Sequence, residues 1–183
     1  PSAPSAPAAV RGNSQATVTV TPLAADATGG KAITSYTVTA YDASGNAVGT
    51  PCQIIPAATS CAVTGLTNGS AYTFKVSATN GVATSASSVA SAPVTPATVP
   101  GAPTGVTATT TSPNSATISF TAPVSNGGDP ITSYTVTSSP GGFTCTVAAP
   151  GTSCTINGSL TNGVAYTFTA CLLYTSDAAD DTP

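Results

Sequence analysis

Five cysteines are the residues best equipped for chemistry in this 183-residue chain, because histidine and glutamate are absent and only nine side chains carry charge. Cys52 and Cys61 stand nine positions apart, and so do Cys145 and Cys154. Both pairs lie just ahead of a leucine-to-tyrosine motif that also occurs twice. A spacing repeated in both copies argues for one disulfide in each, and closing a loop of about ten residues stabilises a small domain by roughly 2 to 3 kcal/mol. Zinc is the competing reading, but it needs four ligands, and each copy offers two thiols and scattered carboxylates. The disulfide reading implies an oxidising, extracytoplasmic setting and leaves Cys171 over.

The remaining inventory argues against catalysis, and no catalytic, metal or cofactor-binding residue is assigned. Without histidine, no Ser-His or Cys-His nucleophile pair can be assembled from this chain. Asp26, Asp42 and Asp129 fall in turns of different strands, where carboxylates bond their own backbone, and not as a pair flanking one cleft. Gly29-Gly30 and Gly127-Gly128 lack the strand-loop-helix context of a phosphate cradle. The sequons at Asn68 and Asn157 occupy non-equivalent places and read as chance. Arg11, Lys31 and Lys75 cannot form the basic face that nucleic acid requires, and no apolar run nears the roughly 18 residues that span a bilayer.

Binding depends on exposed aromatics. Tryptophan is absent, and Tyr36, Tyr72, Tyr134 and Tyr166 fall on inward faces of alternating segments. Tyr41 and Phe143 are left as the contact residues for a protein or polysaccharide ligand.

The elements that must position these residues follow from alternation. Ala16, Val18 and Val20 share one face and Thr17, Thr19 and Thr21 the other, which is the period of a half-buried strand. Ile33 to Tyr41 repeats the pattern with Tyr36, Val38 and Ala40 inward. Ala47 to Ile55 returns, and Ser60 to Val63 leads to Leu66-Thr67-Asn68-Gly69-Ser70-Ala71-Tyr72-Thr73-Phe74. The same motif recurs as Leu160-Thr161-Asn162-Gly163-Val164-Ala165-Tyr166-Thr167-Phe168. Leu66 and Leu160 each end an alternation, an Asn-Gly pair turns the chain, and Tyr72 and Tyr166 open the next strand. This is the corner of a β-sandwich, with the tyrosine hydroxyl bonded to backbone just upstream. After Asn80-Gly81, Ala83 to Val94 is expected to be the closing strand, although its alternation is weak. The second copy repeats the first with length changes only between strands, which places insertions in loops.

The Gly-Gly-x-x-Ile-Thr-Ser-Tyr-Thr-Val-Thr strand and the Gly-Leu-Thr-Asn-Gly-x-Ala-Tyr-Thr-Phe corner resemble the fibronectin type III domain, in the Thr/Ala-rich form of bacterial extracellular proteins. The resemblance implies an all-β fold of tandem immunoglobulin-like sandwiches, the second one truncated. It covers about residues 5 to 170. The family's second-strand tryptophan is replaced here by Val20 and Phe120, so the first core is expected to be light. Arg11-Gly12 continues with Asn13, so the integrin-binding Arg-Gly-Asp of some relatives is absent.

The expected organisation is a Pro/Ala/Ser linker at 1–6, a first domain at 7–95, a linker at 96–101 and a second domain at 102–170. The linker, with Pro96 and Pro100, is read as semi-rigid. Residues 171–183, with Cys171 and three aspartates, resemble translated sequencing-adapter read-through. They are read as foreign to the repeat, which leaves the second domain without its last strand. The functional expectation is a non-catalytic spacer and adhesive module of a larger secreted or cell-surface protein. Its partners would be neighbouring domains of the parent chain and a protein or polysaccharide surface ligand, without nucleic acid, membrane insertion or cofactor. The rival expectation is an accessory carbohydrate-binding module of a polysaccharide-degrading enzyme.

Overall fold

A computed structural model describes residues 1–175, and its contacts divide them into two units that part between Thr98 and Val99. The first unit contains β1 (Ala8–Gly12), β2 (Gln15–Thr19), β3 (Ile33–Tyr41), β4 (Ala47–Ile54), β5 (Ser60–Thr64) and β6 (Thr73–Asn80). The second contains β7 (Thr104–Ser112), β8 (Ser115–Thr121), β9 (Ile131–Ser139), β10 (Thr144–Ala148), β11 (Ser153–Ile156) and β12 (Thr167–Tyr174). A 3-10 turn at Ala25–Thr28 is the helical element among the described residues. Every strand pair is antiparallel.

Alternation decides which side chains face inward. Ala16, Val18 and Val20 from β2 and its end, Tyr36, Val38 and Ala40 from β3, and Phe74, Val76 and Ala78 from β6 are all buried in one cluster with Val63, Leu66 and Tyr72. The intervening threonines stay at the surface, as a pleated strand with one wet face requires. In the second unit Ala116, Ile118, Phe120, Tyr134, Val136, Ile156, Leu160 and Ala170 form the corresponding core. Val20 and Phe120 are both buried where the family places tryptophan. Phe120 packs on Tyr134 with ring centroids 4.9 Å apart and the planes tilted by 54°, a ring pair for which Val20 offers no counterpart.

Each core lies between two layers. In the second unit these are separate sheets, β10-β9-β12 and β11-β8-β7. In the first unit the layers β1-β2-β5 and β4-β3-β6 are joined by a single pair, Thr50 with Thr64. The β3–β4 register slips between Val38 and Ala40, which frees Thr50 to cross over. Gly49 makes the crossing possible, since it has φ +69° and a Cβ there would sit 2.8 Å from the Thr64 carbonyl oxygen.

The closing segment of the first unit departs from the expected strand. Ala83 to Val94 returns to β6 every third residue, not every second, which is the period of polyproline-type extended chain. Ser85, Ser88 and Ser91 donate their N–H to the carbonyls of Ala78, Val76 and Phe74 at 2.8 to 2.9 Å. A three-residue period carries the matching carbonyls away from β6, so the serine hydroxyls accept in their place. Each Oγ accepts the N–H of Ala78, Val76 or Phe74 at 3.0 Å and donates its own O–H to the carbonyl of Ala86, Val89 or Ala92. Val94 completes the series with a reciprocal backbone pair to Tyr72.

Boundaries also shift from those expected. The leader at 1–6 lies on the first sandwich and is no free linker: Ser2 donates to the Ala27 carbonyl, and Pro4 is buried. Pro96 and Ala97 are likewise buried, with the Pro96 carbonyl accepting from Gly69. The second domain does not stop at Ala170. Leu172 and Tyr174 continue the alternation of Phe168 and Ala170, so β12 runs on against β9 to Tyr174. Cys171 faces Thr135 there, as Ser77 faces Thr37 in the first unit. The rest of the tail expected to be foreign, 176–183, lies outside the described residues.

Candidate functional site

Both corner tyrosines hold the backbone just upstream. The Tyr72 hydroxyl accepts the N–H of Thr67 at 3.1 Å, and the Tyr166 hydroxyl accepts that of Thr161 at 3.0 Å. Leu66 and Leu160 are buried beneath them. The asparagine of each corner has a task that sequence reading missed. Asn68 accepts from the Ser14 N–H at 2.8 Å and donates to Asn13 Oδ1 at 2.9 Å, tying the corner to the β1–β2 turn. Asn162 accepts from the Asn114 N–H at 3.2 Å in the same place. Asn68 is thereby committed to structure, whereas Asn157 is exposed. The signal was the pairing of each corner asparagine with an asparagine in a distant turn.

The two disulfides form, Cys52 with Cys61 and Cys145 with Cys154, which takes their sulfurs out of zinc ligation. Cys52 lies on β4 and Cys61 on β5; Cys145 lies on β10 and Cys154 on β11. Each bridge therefore joins the two layers of its sandwich covalently. In the second unit, whose sheets share no strand pair, it adds a side-chain cross-link to the backbone connections between them. Cys171 is a free, exposed thiol.

The two aromatic contact candidates occupy different surroundings. Tyr41 ends β3, half-buried, with the Lys75 ammonium 4.9 Å from its ring centroid. A shallow groove lined by Tyr41, Thr73 and Pro93 adjoins it. Phe143 packs against the second core and lies over Gly141, where a Cβ would stand 2.4 Å from the ring. Its backbone is held by Ser138 through both N–H and carbonyl. Each ring thus has one face already taken.

Asp42 closes its own turn, accepting the N–H of Asn46 and of Ser44 at 2.9 Å each. These bonds, that of Asn46 first, hold its carboxyl below the ordinary aspartate range. Asp26 is exposed in the 3-10 turn. Among the described residues no three of the His, Cys, Asp and Glu type stand close enough to hold a metal ion. A hollow of about 410 Å³ in the first unit is lined by Leu23, Ile33, Tyr36, Pro56 and their neighbours, without a charged side chain. The Tyr36 hydroxyl at its wall is engaged by the Leu23 N–H at 2.8 Å.

Fold and site together define a pair of immunoglobulin-like β-sandwiches, each with a tyrosine corner and an inter-sheet disulfide. The sequence model of the Fibronectin type III domain matches residues 2–93 and again residues 101–178, and the chain belongs to that family. Among solved structures, a two fibronectin type III domain segment from chicken tenascin is similar at 23% identity over 94% of this chain and 99% of that one, with a TM-score of 0.43. No curated protein sequence gives a match. Fibronectin type III modules are generally non-catalytic structural or binding domains.

Proposed function

We propose that the chain is a non-catalytic spacer of a larger secreted or cell-surface bacterial protein, holding neighbouring domains of that protein apart. The observation that carries this reading is the disulfide joining the two layers in each domain. Pulling a sandwich apart means sliding one layer over the other, and a covalent tie between β4 and β5, or between β10 and β11, opposes that motion. Such bonds persist in an oxidising, extracytoplasmic compartment. Hydroxyl pairs such as Thr117 with Thr155 at 2.8 Å and Thr135 with Thr146 at 3.3 Å give the outer faces polar surface with little charge. No helix among the described residues is long and apolar enough to cross a membrane.

The test is retention on insoluble polysaccharides of several classes. A spacer shows no saturable retention with any of them. Saturable retention that disappears in Tyr41→Ala or Phe143→Ala would replace the spacer with an accessory carbohydrate-binding module.

A further inference from the structure

Asn-Gly occurs five times, at Asn68, Asn80, Asn126, Asn157 and Asn162. Asparagine ahead of glycine is a thermolabile pairing, since the glycine nitrogen can attack the side-chain amide with no Cβ in the way. The fold restrains four of these side chains. Asn68 is held through both Oδ1 and Nδ2, by Ser14 and Asn13. Buried Asn80 accepts from Val82 and Ala83 at 2.9 Å and donates to the Thr28 carbonyl at 2.8 Å. Asn126 accepts from the Gly128 N–H at 3.0 Å, and Asn162 from that of Asn114 at 3.2 Å. Asn157 differs. It is exposed just past β11, and its side chain makes no hydrogen bond among the described residues; the Ser159 hydroxyl bonds its backbone carbonyl instead, at 3.2 Å.

We propose that Asn157 is a self-modification site, at which the folded chain deamidates ahead of its other asparagines. The Gly158 nitrogen bonds to Cγ of Asn157, the Cγ–Nδ2 bond breaks, and ammonia leaves with the proton that Gly158 gives up. Water then opens the resulting succinimide ring at either carbonyl, giving aspartate or isoaspartate. There is room for the ring, since a Cβ on Gly158 would meet nothing within 4 Å. One restraint remains, and it lies on the nucleophile. The Gly158 N–H donates to the buried Ser115 Oγ at 2.9 Å, and this bond must be given up before attack, so Ser115 sets the pace. The first domain cannot follow. Asn157 succeeds Ile156, opposite Ala116, as Thr64 succeeds Val63, opposite Ala16, and threonine has no amide to cyclise. Converting the neutral amide to a carboxylate takes the formal charge from -3 to -4. The isoaspartate route also adds a backbone atom ahead of Gly158, which draws its N–H away from Ser115.

The experiment ages the full, disulfide-intact chain in mildly alkaline buffer and follows all of these asparagines by peptide mapping and mass spectrometry, with a parallel sample held in denaturant. In the native chain Asn157 is expected to convert at least about fivefold faster than Asn68, Asn80, Asn126 or Asn162, the factor that one restraining hydrogen bond supplies. In denaturant that lead is expected to disappear, because the fold and not the dipeptide selects the site. Ser115→Ala is expected to speed conversion at Asn157 by a similar factor of about five, and Asn157→Gln to remove the first more acidic species from anion exchange. Three results would overturn the proposal: another asparagine converting first in the native chain, the same ranking with and without the fold, or a Ser115→Ala chain with a native amide spectrum in which Asn157 converts no faster.

Discussion

Tyr72 and Tyr166 were recognisable as corner residues because a leucine, an Asn-Gly turn and an inward tyrosine in fixed order leave the hydroxyl one nearby backbone target. Each makes that one bond. Tyr72→Phe is expected to cost about 1 kcal/mol, lowering the melting temperature of its domain by about 4–8 °C; calorimetry on the full chain checks it. Ser88→Ala is expected to cost more, about 1–3 kcal/mol, because the buried Val76 N–H loses its side-chain acceptor. That residue was illegible beforehand. A serine in a run of alanines and serines has no character of its own until a partner strand lines up its donors. Asp42 adds a pH dependence. Its folded carboxyl is held below the ordinary value, so its stabilising bonds are present above about pH 4 and disappear as pH falls through the lowered folded value. Acid titration of wild type against Asp42→Asn is expected to show the substitution flattening this loss.

Strands were legible wherever burial imposes a period of two. Ile33 to Tyr41 was delimited by alternation, and the same pattern carried past Ala170 to Tyr174, where residue identities had pointed away from the repeat. The closing segment failed the period-two test because its period is three, with Ser88, Ser91 and Ala97 buried in step. The repeated nine-residue spacing revealed the cysteine pairs. It did not reveal that β4 and β5, or β10 and β11, belong to opposite layers, since that depends on which strand each one pairs with. Replacing Cys52 and Cys61 together by alanine is expected to lower the stability of the first domain by about 2–3 kcal/mol. A denaturation midpoint that moves with little change in slope would confirm the loss, because the buried surface stays the same.

For the molecule as a whole, sparse charge is the dominant physical fact. Nine charged side chains in 183 residues leave little for salt to screen. Raising sodium chloride from about 0.01 M to about 1 M, which shortens the Debye length from about 30 Å to about 3 Å, is therefore expected to shift the melting temperature by no more than about 2 °C. Composition, alternation and the doubled corner were enough to establish two all-β units, their inward residues and their cysteine partners, because each of these follows from side chains within one strand or one turn. Only the tertiary structure decided which layer each strand joins, what Asn68 and Asn162 hold, and why Ser85, Ser88 and Ser91 recur. The reason is common to all three: a hydrogen-bond requirement belongs to a pair of segments, and the second member of the pair lies too far along the chain for local pattern to name it.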